Sequence, residues 1–393
     1  MCGTLHIHLT LAKRRQPPSP STHQTMSTTP RPPQRPPPSP PIPKLSDMQP
    51  PILHEIRDSS LGGRGTFALA NLTPGTLILR EQPLYTTLTP AYTTSPQSEL
   101  DQLEEVRRCF TNLSEDRKQL FSTLAMSRPT FEAWMDFLGQ ISGVGEEKGD
   151  DEDEETKKRR EKNEMISIML ARHFTNAFQL SRRDGDNDER GRRDGLFPTA
   201  SRLNHSCLPN AYWSFNTTDD EGMEGLMEVR ATHVIQAGEE ILITYVPTLS
   251  TKEERRELLW EGYGFECHCV ACEGKNCLLG EERRKDIKLT MAKFEKGGFD
   301  GRAMDAMKAA SLQEEESLVD LAVVSSYHRA AVYNERDDNF TLALEYAGKA
   351  ARMCSVILGP EDRETKIHYQ IEGRIRRKLE KAERQRLEDG DGT

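Results

Sequence analysis

The chain has 393 residues, of which 35% are hydrophobic and 30% charged, enough for two or three domains. Its net charge of -10 argues against a general nucleic-acid binder, because such proteins carry a basic footprint, whereas an acidic protein suits a basic protein segment as substrate. No apolar run approaches the ~20 residues that span a membrane. These properties predict an intracellular protein, in the nucleus, the cytoplasm or both, without direct contacts to nucleic acid or membrane.

The N-terminal segment differs from the rest of the chain in composition. Proline, serine, threonine and glutamine dominate residues 12–51, as in the run RPPPSPP at 35–41. Proline lacks a backbone donor, and a segment with so few apolar side chains cannot bury enough surface to offset the entropy of ordering it. We therefore predict a disordered, proline-rich tail over residues 1–51.

The pattern changes to short strands at Ile52. Residues 66–70 and 76–79 favour strands with a glycine-containing turn between them, and this spacing predicts a β-meander. Two later segments, 226–230 and 241–245, favour strands for the same reason. The N-terminal half of the folded chain should therefore be rich in β-structure.

A helical insertion interrupts these strands. Between about residues 95 and 165, apolar residues recur at the spacing of an α-helix. The acidic run at 146–155 is typical of a solvated loop. A further helix is expected over 164–180 and a second charged loop over 181–193.

Two short motifs carry the chemistry. Residues 204–210 read N-H-S-C-L-P-N, and residues 267–272 read C-H-C-V-A-C. Three thiolates from one tight loop are one fewer than the four soft ligands of a closed structural zinc site, and clustered cysteines favour a metal in a reducing compartment over disulfides. Cys207 can supply the fourth ligand, Cys277 is an alternative that spacing alone does not exclude, and His268 points away from its cysteine neighbours if the segment is extended. Buried, metal-free cysteines are the other interpretation, but the polar neighbours disfavour it.

Beyond residue 280 the spacing becomes helical again. Apolar residues mark one helix over 318–332 and another over 340–357, which should end at Gly359 before a proline. The small residues in these paired helices resemble tetratricopeptide hairpins, although no repeat of ~34 residues is convincing. We predict a C-terminal helical domain over 281–393 that packs on the rest of the protein and can bind a peptide partner.

Taken in chain order, the motifs resemble those of the SET-domain protein lysine methyltransferases, most closely the SET-and-MYND branch. The matching runs are G-R-G-T-F-A at 63–68, N-A-F at 176–178, G-L-F-P at 195–198, the N-H-S-C-L-P-N run, G-E-E-I-L-I-T-Y at 238–245 and the cysteine loop. They extend over roughly residues 52 to 275. One feature departs from the branch: the MYND zinc finger normally inserted early in the domain cannot form, because residues 85–165 contain only Cys109 and no histidine.

The resemblance implies an α+β fold. A β-rich SET domain would occupy residues 52–247 and carry the helical insertion, a zinc-bound post-SET loop would follow at 248–280, and the helical domain would complete the chain. The resemblance also implies an S-adenosylmethionine-dependent protein-lysine N-methyltransferase. Its substrate would be a lysine in a histone, for example in a histone tail, or in another protein. Its zinc would be structural, since four thiolates leave no open coordination position.

Roles for individual residues follow from the same resemblance. Tyr245 is the expected catalytic residue, because a phenol with a pKa of ~10 can orient the methyl group and the amine without being charged. Asn176 is expected to contact the amino-acid end of the cofactor, and Phe265 is expected to cover its adenine side. The glycine turn is expected to let the protein backbone come close to the cofactor, because glycine has no Cβ. The expected cofactor-binding residues are Gly63, Arg64, Gly65, Asn176, Asn204, His205, Tyr245 and Phe265, and the expected zinc ligands are Cys207, Cys267, Cys269 and Cys272.

Two other classes of protein share part of this pattern. A catalytically inactive SET-type scaffold would bind protein partners through its helical domain, but the intact Asn204, His205 and Tyr245 count against it. A zinc-bearing adaptor would need the cysteines and no cofactor. A titration with S-adenosylmethionine therefore separates the adaptor from an enzyme.

Overall fold

The computed structural model describes residues 52–89, 96–143, 153–180, 192–217, 225–297 and 302–390. The predicted tail, residues 146–152 of the acidic run and residues 181–191 of the second charged loop lie outside the described residues. The described part of the chain is α+β, as expected, with small sheets, an inserted group of helices and a C-terminal helical region.

Small sheets form the β part of the protein. The strands are β1 (His54–Asp58), β2 (Arg64–Ala68), β3 (Leu77–Glu81), β4 (Tyr85–Thr89), β5 (Ala177–Gln179), β6 (Arg192–Leu196), β7 (Asn204–His205), β8 (Ala211–Thr217), β9 (Gly225–Ala231) and β10 (Leu242–Ile243). β1 pairs with β2, β9 lies between β3 and β8, β6 lies between β4 and β5, and the short β7 and β10 pair in parallel. β7 carries the start of the N-H-S-C run, so this last pairing places it beside the G-E-E run.

The expected β-meander is wrong beyond the first hairpin. β1 and β2 pair as chain neighbours, but β3 pairs antiparallel with β9, with Leu77 opposite Arg230. Burial accounts for this long-range pairing, because Ile78, Met227 and Val229 enter one core and none of them is more than 2% exposed. A local hairpin would not bring these side chains to the same face.

The described residues of the predicted insertion form four helices: α1 (Pro96–Thr111), α2 (Glu115–Ser122), α3 (Arg128–Ser142) and α4 (Glu154–Asn176). The prediction of a loop is wrong for residues 154–155, because the Asp153 side chain caps α4 by accepting a hydrogen bond from Thr156 N at 2.7 Å. Acidic residues in the first turn also favour the start of a helix there. Cys109 lies in α1 and is largely buried, with its Sγ 3.4 Å from the carbonyl oxygen of Thr86.

Within residues 225–297 and 302–390, the helices after the last strand are α5 (Lys252–Tyr263), α6 (Val270–Glu273), α7 (Cys277–Gly297), α8 (Ala303–Glu315), α9 (Leu321–Arg336), α10 (Phe340–Leu358) and α11 (Arg363–Gly390). The two helices expected near the C-terminus correspond to α9 and α10, and α10 ends where the glycine at 359 predicts. α9 packs against α8 and α10, and α10 packs against α11. Among the helices described, none is both long and apolar enough to cross a membrane.

The helical region contacts the sheet through α10. Gly359, at the end of α10, has a φ of +92°, and a Cβ on it would lie 2.7 Å from Nη2 of Arg230 in β9. Arg230 in turn donates to Oε2 of Glu228 at 2.9 Å, and Arg80 Nε donates to Oε1 of Glu228 at 2.9 Å. Glu228 is only 6% exposed, so two arginines neutralise a buried carboxylate at this contact.

We expect Glu228→Ala to lower the free energy of unfolding by ~3–5 kcal/mol, because it removes the carboxylate that two mostly buried guanidinium groups share. Urea denaturation followed by circular dichroism measures the change. Glu104→Ala is the matched control, since Glu104 pairs with Arg107 at the surface and its removal should change the stability little. Equal losses in the two variants would contradict the structural role of Glu228.

Candidate active site

Four cysteine sulfurs meet beside the N-H-S-C run. The Sγ atoms of Cys207, Cys267, Cys269 and Cys272 all lie within 4.8 Å of one another. Cys207 follows β7, whereas the other three come from the loop after α5 and from α6. Cys277 begins α7 and does not belong to this group, so the structure joins Cys207 to the loop.

The spacing of these sulfurs fits a tetrahedral metal ion. Metal–sulfur bonds of ~2.3 Å give sulfur–sulfur edges of ~3.8 Å in a tetrahedron. Cys207 Sγ lies 3.8 Å from Cys267 Sγ and 3.6 Å from Cys272 Sγ. His268 is on the outside of the loop, where its Nδ1 is 2.6 Å from Glu273 Oε1. The four cysteines can therefore hold a metal ion without a histidine.

Two buried arginines lie beside the cysteine cluster. Arg255 of α5 is fully buried and donates to Glu281 Oε1 at 2.7 Å. Arg284 of α7 is 1% exposed and donates to the backbone oxygens of Cys207, at 3.2 Å, and of Thr248. Thiolates around a metal ion carry excess negative charge, which nearby guanidinium groups offset. Because Arg284 belongs to α7, the helical region contributes directly to the surroundings of the cluster.

His205 connects the cysteine cluster to Tyr245. Its Nδ1 accepts a hydrogen bond from the Tyr245 backbone N–H at 3.0 Å, so the hydrogen of the neutral ring is on Nε2, 3.3 Å from Cys207 Sγ. Burial lowers the pKa of His205 to about 4, which keeps the ring neutral at pH 7. Both ring nitrogens of His205 are thus used within the protein.

Tyr245 lies in a cluster of aromatic rings. The ring centroids of Tyr263 and His205 are 4.7 Å and 5.3 Å from its own, and Phe265 lies edge-on at 6.4 Å. The Tyr245 hydroxyl donates to the backbone oxygen of Leu203 at 2.6 Å. Burial raises the pKa of Tyr245 above its usual value, so the phenol is neutral at pH 7.

The glycine turn is held by the carboxylate of Glu240. Gly63 has a φ of +62°, which favours glycine, and a Cβ on it would meet nothing within 4 Å. A Cβ on Gly65, in contrast, would lie 2.1 Å from Glu240 Oε1. The carboxylate occupies that space because it accepts hydrogen bonds from Asn204 Nδ2 at 2.7 Å and Ser59 Oγ at 2.8 Å. Glycine at position 65 therefore leaves space for the Glu240 carboxylate, whereas the space beside Gly63 is not filled by other protein atoms.

Arg64 and Asn176 use part of their hydrogen-bonding capacity within the fold. Arg64 Nη2 donates to Ile56 O at 3.0 Å across the β1–β2 hairpin. Asn176 ends α4, is buried, and donates from Nδ2 to Ala125 O at 2.8 Å and to Arg172 O at 2.7 Å. The structure therefore gives Asn176 a role at the end of α4 in addition to any contact with a cofactor.

The helical insertion supports the aromatic segment that follows α5. Thr130 of α3 donates from Oγ1 to Gly262 O at 3.3 Å. Gly264, with a φ of +75°, ends α5, and a Cβ on it would lie 2.8 Å from Pro129 Cδ. The segment with Tyr263 is thus packed against α3 on one side and against Tyr245 on the other.

Two residues join this site without having been expected from the sequence. Tyr263 lies outside the motifs, although aromatic residues on both sides of Gly264, just before the cysteine loop, are a sequence signal for an aromatic cluster. Glu240 lies within the G-E-E run, but the run alone does not say which glutamate points inward. Alternation along an extended segment places neighbouring side chains on opposite faces, and the structure shows Glu239 exposed and Glu240 partly buried.

Sequence comparison defines the class of this fold and site. A family model described as SET domain matches residues 63–246, which include the glycine turn, the N-H-S-C run and Tyr245. Residues 63–246 thus match a SET domain, and the relatives that resemble this chain fit the SET-and-MYND branch of that family.

Histone-lysine N-methyltransferase SMYD3 of Mus musculus is 39% identical over 106 residues, which span 26% of this chain and 23% of that protein. Histone-lysine N-methyltransferase set5 of Schizosaccharomyces pombe is 32% identical over 137 residues, spanning 33% of this chain and 39% of that protein. The matches thus cover well under half of either relative. A solved structure described as the SET domain of LSMT bound to lysine and AdoHcy has a TM-score of 0.32 at 13% identity, over 84% of this chain and 87% of that one. A likeness this low supports no argument about the site.

We expect Gly65→Ala to lower the free energy of unfolding by ~1–3 kcal/mol, because the added methyl group displaces the Glu240 carboxylate from its hydrogen bonds. Thermal denaturation measures the loss. Gly63→Ala is the control, because a methyl group at this position meets no other atom. It should lower the free energy of unfolding by only ~1 kcal/mol, since alanine disfavours the positive φ of residue 63. In Gly65→Ala/Glu240→Ala the loss should be smaller than the sum of the two single losses, since the methyl group then meets no carboxylate. Additive losses would show that this contact does not exist.

Proposed function

We propose that the protein is an S-adenosylmethionine-dependent protein-lysine N-methyltransferase. The observation that carries this proposal is the position of Tyr245, a neutral phenol in an aromatic cluster between the glycine turn and the cysteine cluster of a SET domain. Relatives named as histone-lysine N-methyltransferases support the same reaction. Calorimetric titration of the purified protein with S-adenosylmethionine is the first test. An adaptor without a cofactor site would fail it, and an inactive scaffold would fail a methylation assay.

We also propose that the four clustered cysteines hold a structural zinc ion. Soft thiolates and near-tetrahedral spacing suit zinc, and a site closed by four protein ligands leaves no position for chemistry. The ion would join the loop after Phe265 to the N-H-S-C run. It would thereby support the aromatic cluster while taking no part in the reaction.

Cys207→Ser should lose most of its zinc and should unfold at a lower temperature, because the binding energy of a structural metal is also folding energy. Elemental analysis of the purified variant measures the zinc content. Cys277→Ser makes the same substitution outside the cluster, and it should retain about one zinc ion per chain. Full zinc in Cys207→Ser, with loss in Cys277→Ser, would move the fourth ligand to Cys277.

The described residues fit the proposed cofactor. Bound S-adenosylmethionine would supply a methyl group activated for direct displacement by a neutral amine. A Cβ on Gly63 would meet nothing within 4 Å, so this side of the turn has room for a ligand. The Asn204 amide lies beside the turn, 3.3 Å from Arg64 O, and the ring of Phe265 offers an apolar wall. We propose the His205 backbone as a further polar contact. The remaining members of the proposed cofactor-binding set are Arg64, Gly65, Asn176 and Tyr245.

In this proposal Tyr245 orients the incoming amine. Its hydroxyl hydrogen is bound by Leu203 O, so its oxygen lone pairs are left to accept a hydrogen bond from the amine. The raised pKa keeps the phenol neutral, and Tyr245 therefore adds no charge to the site. The rings of Tyr263 and His205 pack against Tyr245 and restrict its movement.

We expect Tyr245→Phe to bind S-adenosylmethionine with similar affinity but to transfer methyl groups ~10²-fold more slowly, because the ring packing survives while the positioning hydroxyl is lost. Calorimetry gives the affinity, and incorporation of a radiolabelled methyl group into a protein substrate gives the rate. Asn204→Ala should instead weaken cofactor binding, since it removes a contact made before the reaction.

Tyr369→Phe is the matched control for the lost hydroxyl, because Tyr369 is exposed on α11. It should behave as the wild type in both measurements. If Tyr245→Phe also matched the wild type on a substrate that the wild type methylates, the catalytic assignment of Tyr245 would be abandoned.

The substrate class proposed is a lysine in a basic protein segment. The net charge of -10 favours such a segment, and histone tails are the first substrates to try. We propose a location in the nucleus, the cytoplasm or both, a SET domain over 52–247, a post-SET segment over 248–280 and a helical domain over 281–393 that offers a surface to a peptide partner. A radiolabelled assay on protein arrays would name the substrate.

A further inference from the structure

Glu240 lies where three segments of the proposed cofactor site meet. Its Oε1 accepts a hydrogen bond from Asn204 Nδ2 at 2.7 Å, and its Oε2 accepts one from Ser59 Oγ at 2.8 Å. The same hydroxyl oxygen accepts a hydrogen bond from Leu61 N at 3.0 Å, which shapes the glycine turn. The backbone oxygen of Glu240 accepts a further bond from Asn210 Nδ2 at 2.9 Å. One residue thus joins the glycine turn, the N-H-S-C-L-P-N run and the G-E-E run.

The chemistry of the carboxylate fixes the orientation of the Asn204 amide. A carboxylate only accepts hydrogen bonds, so Glu240 can bind the NH₂ end of Asn204 and not its oxygen. The other hydrogen of Asn204 Nδ2 is directed to Arg64 O at 3.3 Å. With both hydrogens used, Oδ1 is the hydrogen-bonding atom that the Asn204 side chain has left for a ligand.

We propose that Glu240 is a positioning residue for the cofactor, which presents the Asn204 oxygen to it and ties the glycine turn to the same place. The inference rests on the proposed S-adenosylmethionine-dependent function. The cofactor carries an ammonium group and ribose hydroxyls, which are the kinds of donor that an amide oxygen accepts. Glu240 need not touch the cofactor to act in this way.

Of the two neighbouring glutamates, Glu240 and not Glu239 contacts Asn204. Glu239 is exposed, and its Oε2 accepts a hydrogen bond from Gln236 N at 2.9 Å, which closes a surface turn. Glu240 can reach Asn204 only because residue 65 has no side chain. Hydrogen bonds to an ionised carboxylate are also stronger than those between neutral groups, so the Asn204 amide is held firmly.

Glu240→Gln separates positioning from packing. Glutamine has the same shape but can donate as well as accept, so either orientation of the Asn204 amide becomes allowed. We expect the dissociation constant of the full-length protein for S-adenosylmethionine, measured by calorimetry, to rise about fivefold to tenfold, as for the loss of one hydrogen bond to a ligand. The thermal midpoint should change little. In steady-state assays, KM for the cofactor should rise by a larger factor than kcat falls.

Glu239→Gln is the control, because it makes the same substitution one residue away at the surface, and it should bind as the wild type does. Ser59→Ala is a second variant, which removes one tether of the carboxylate and should raise the dissociation constant by a smaller factor. If Glu240→Gln is too unstable to compare, a rise in Ser59→Ala without loss of stability supports the proposal, and no rise overturns it.

Two results would count against the proposal in different ways. Equal affinities of wild type and a stable Glu240→Gln would overturn the positioning role and leave the proposed function standing. No binding of S-adenosylmethionine by a folded wild type would overturn both.

Discussion

The approach of Cys207 to the three cysteines after α5 is the contact on which the rest of the site depends. Cys207 follows β7, and its Sγ is 3.6 Å from that of Cys272, which is 65 residues further along the chain. This approach closes a long loop, whose entropy must be offset by a strong local interaction. A metal ion held by four thiolates provides an interaction of that strength. The loop then presents Phe265 to the ring of Tyr245.

Two buried arginines bring the helical region close to the cysteine cluster. A zinc ion with four thiolates carries excess negative charge, and burial makes that charge costly unless cations are near. Arg255 comes from α5 and Arg284 from α7, and both are almost completely buried. Since Arg284 also donates to the Cys207 carbonyl, a contact from the helical region reaches the same residue that anchors the cluster.

A second, partly buried carboxylate organises the glycine turn. The Glu240 carboxylate accepts hydrogen bonds from Asn204 and Ser59, and it enters space that a side chain at Gly65 would fill. His205 links the two halves, because one ring nitrogen faces the cysteine cluster and the other faces the Tyr245 backbone. In the candidate site, short polar contacts thus connect Glu240 to Asn204, and connect Tyr245 through His205 to Cys207.

The sequence by itself determined the local elements and the inventory of reactive groups. Helical spacing predicted the inserted helices and α10, and the glycine at 359 predicted where α10 ends, because capping and periodicity act over a few residues. The motifs singled out Tyr245, Asn204, His205 and the clustered cysteines, because their residue types limit the chemistry. The sequence also showed that residues 85–165 lack the cysteines and histidines of a MYND finger.

Only the tertiary structure decided which distant segments meet. The pairing of β3 with β9 contradicts the expected meander, because a shared core and not chain proximity selects strand partners. That Cys207 and not Cys277 lies with the three cysteines of the loop required coordinates, because the spacing in the sequence does not distinguish the two. The roles of Glu240 and Tyr263 likewise depend on side-chain direction and on contacts between segments. Side-chain direction and these contacts arise from the packing of distant segments, which a short stretch of sequence does not determine.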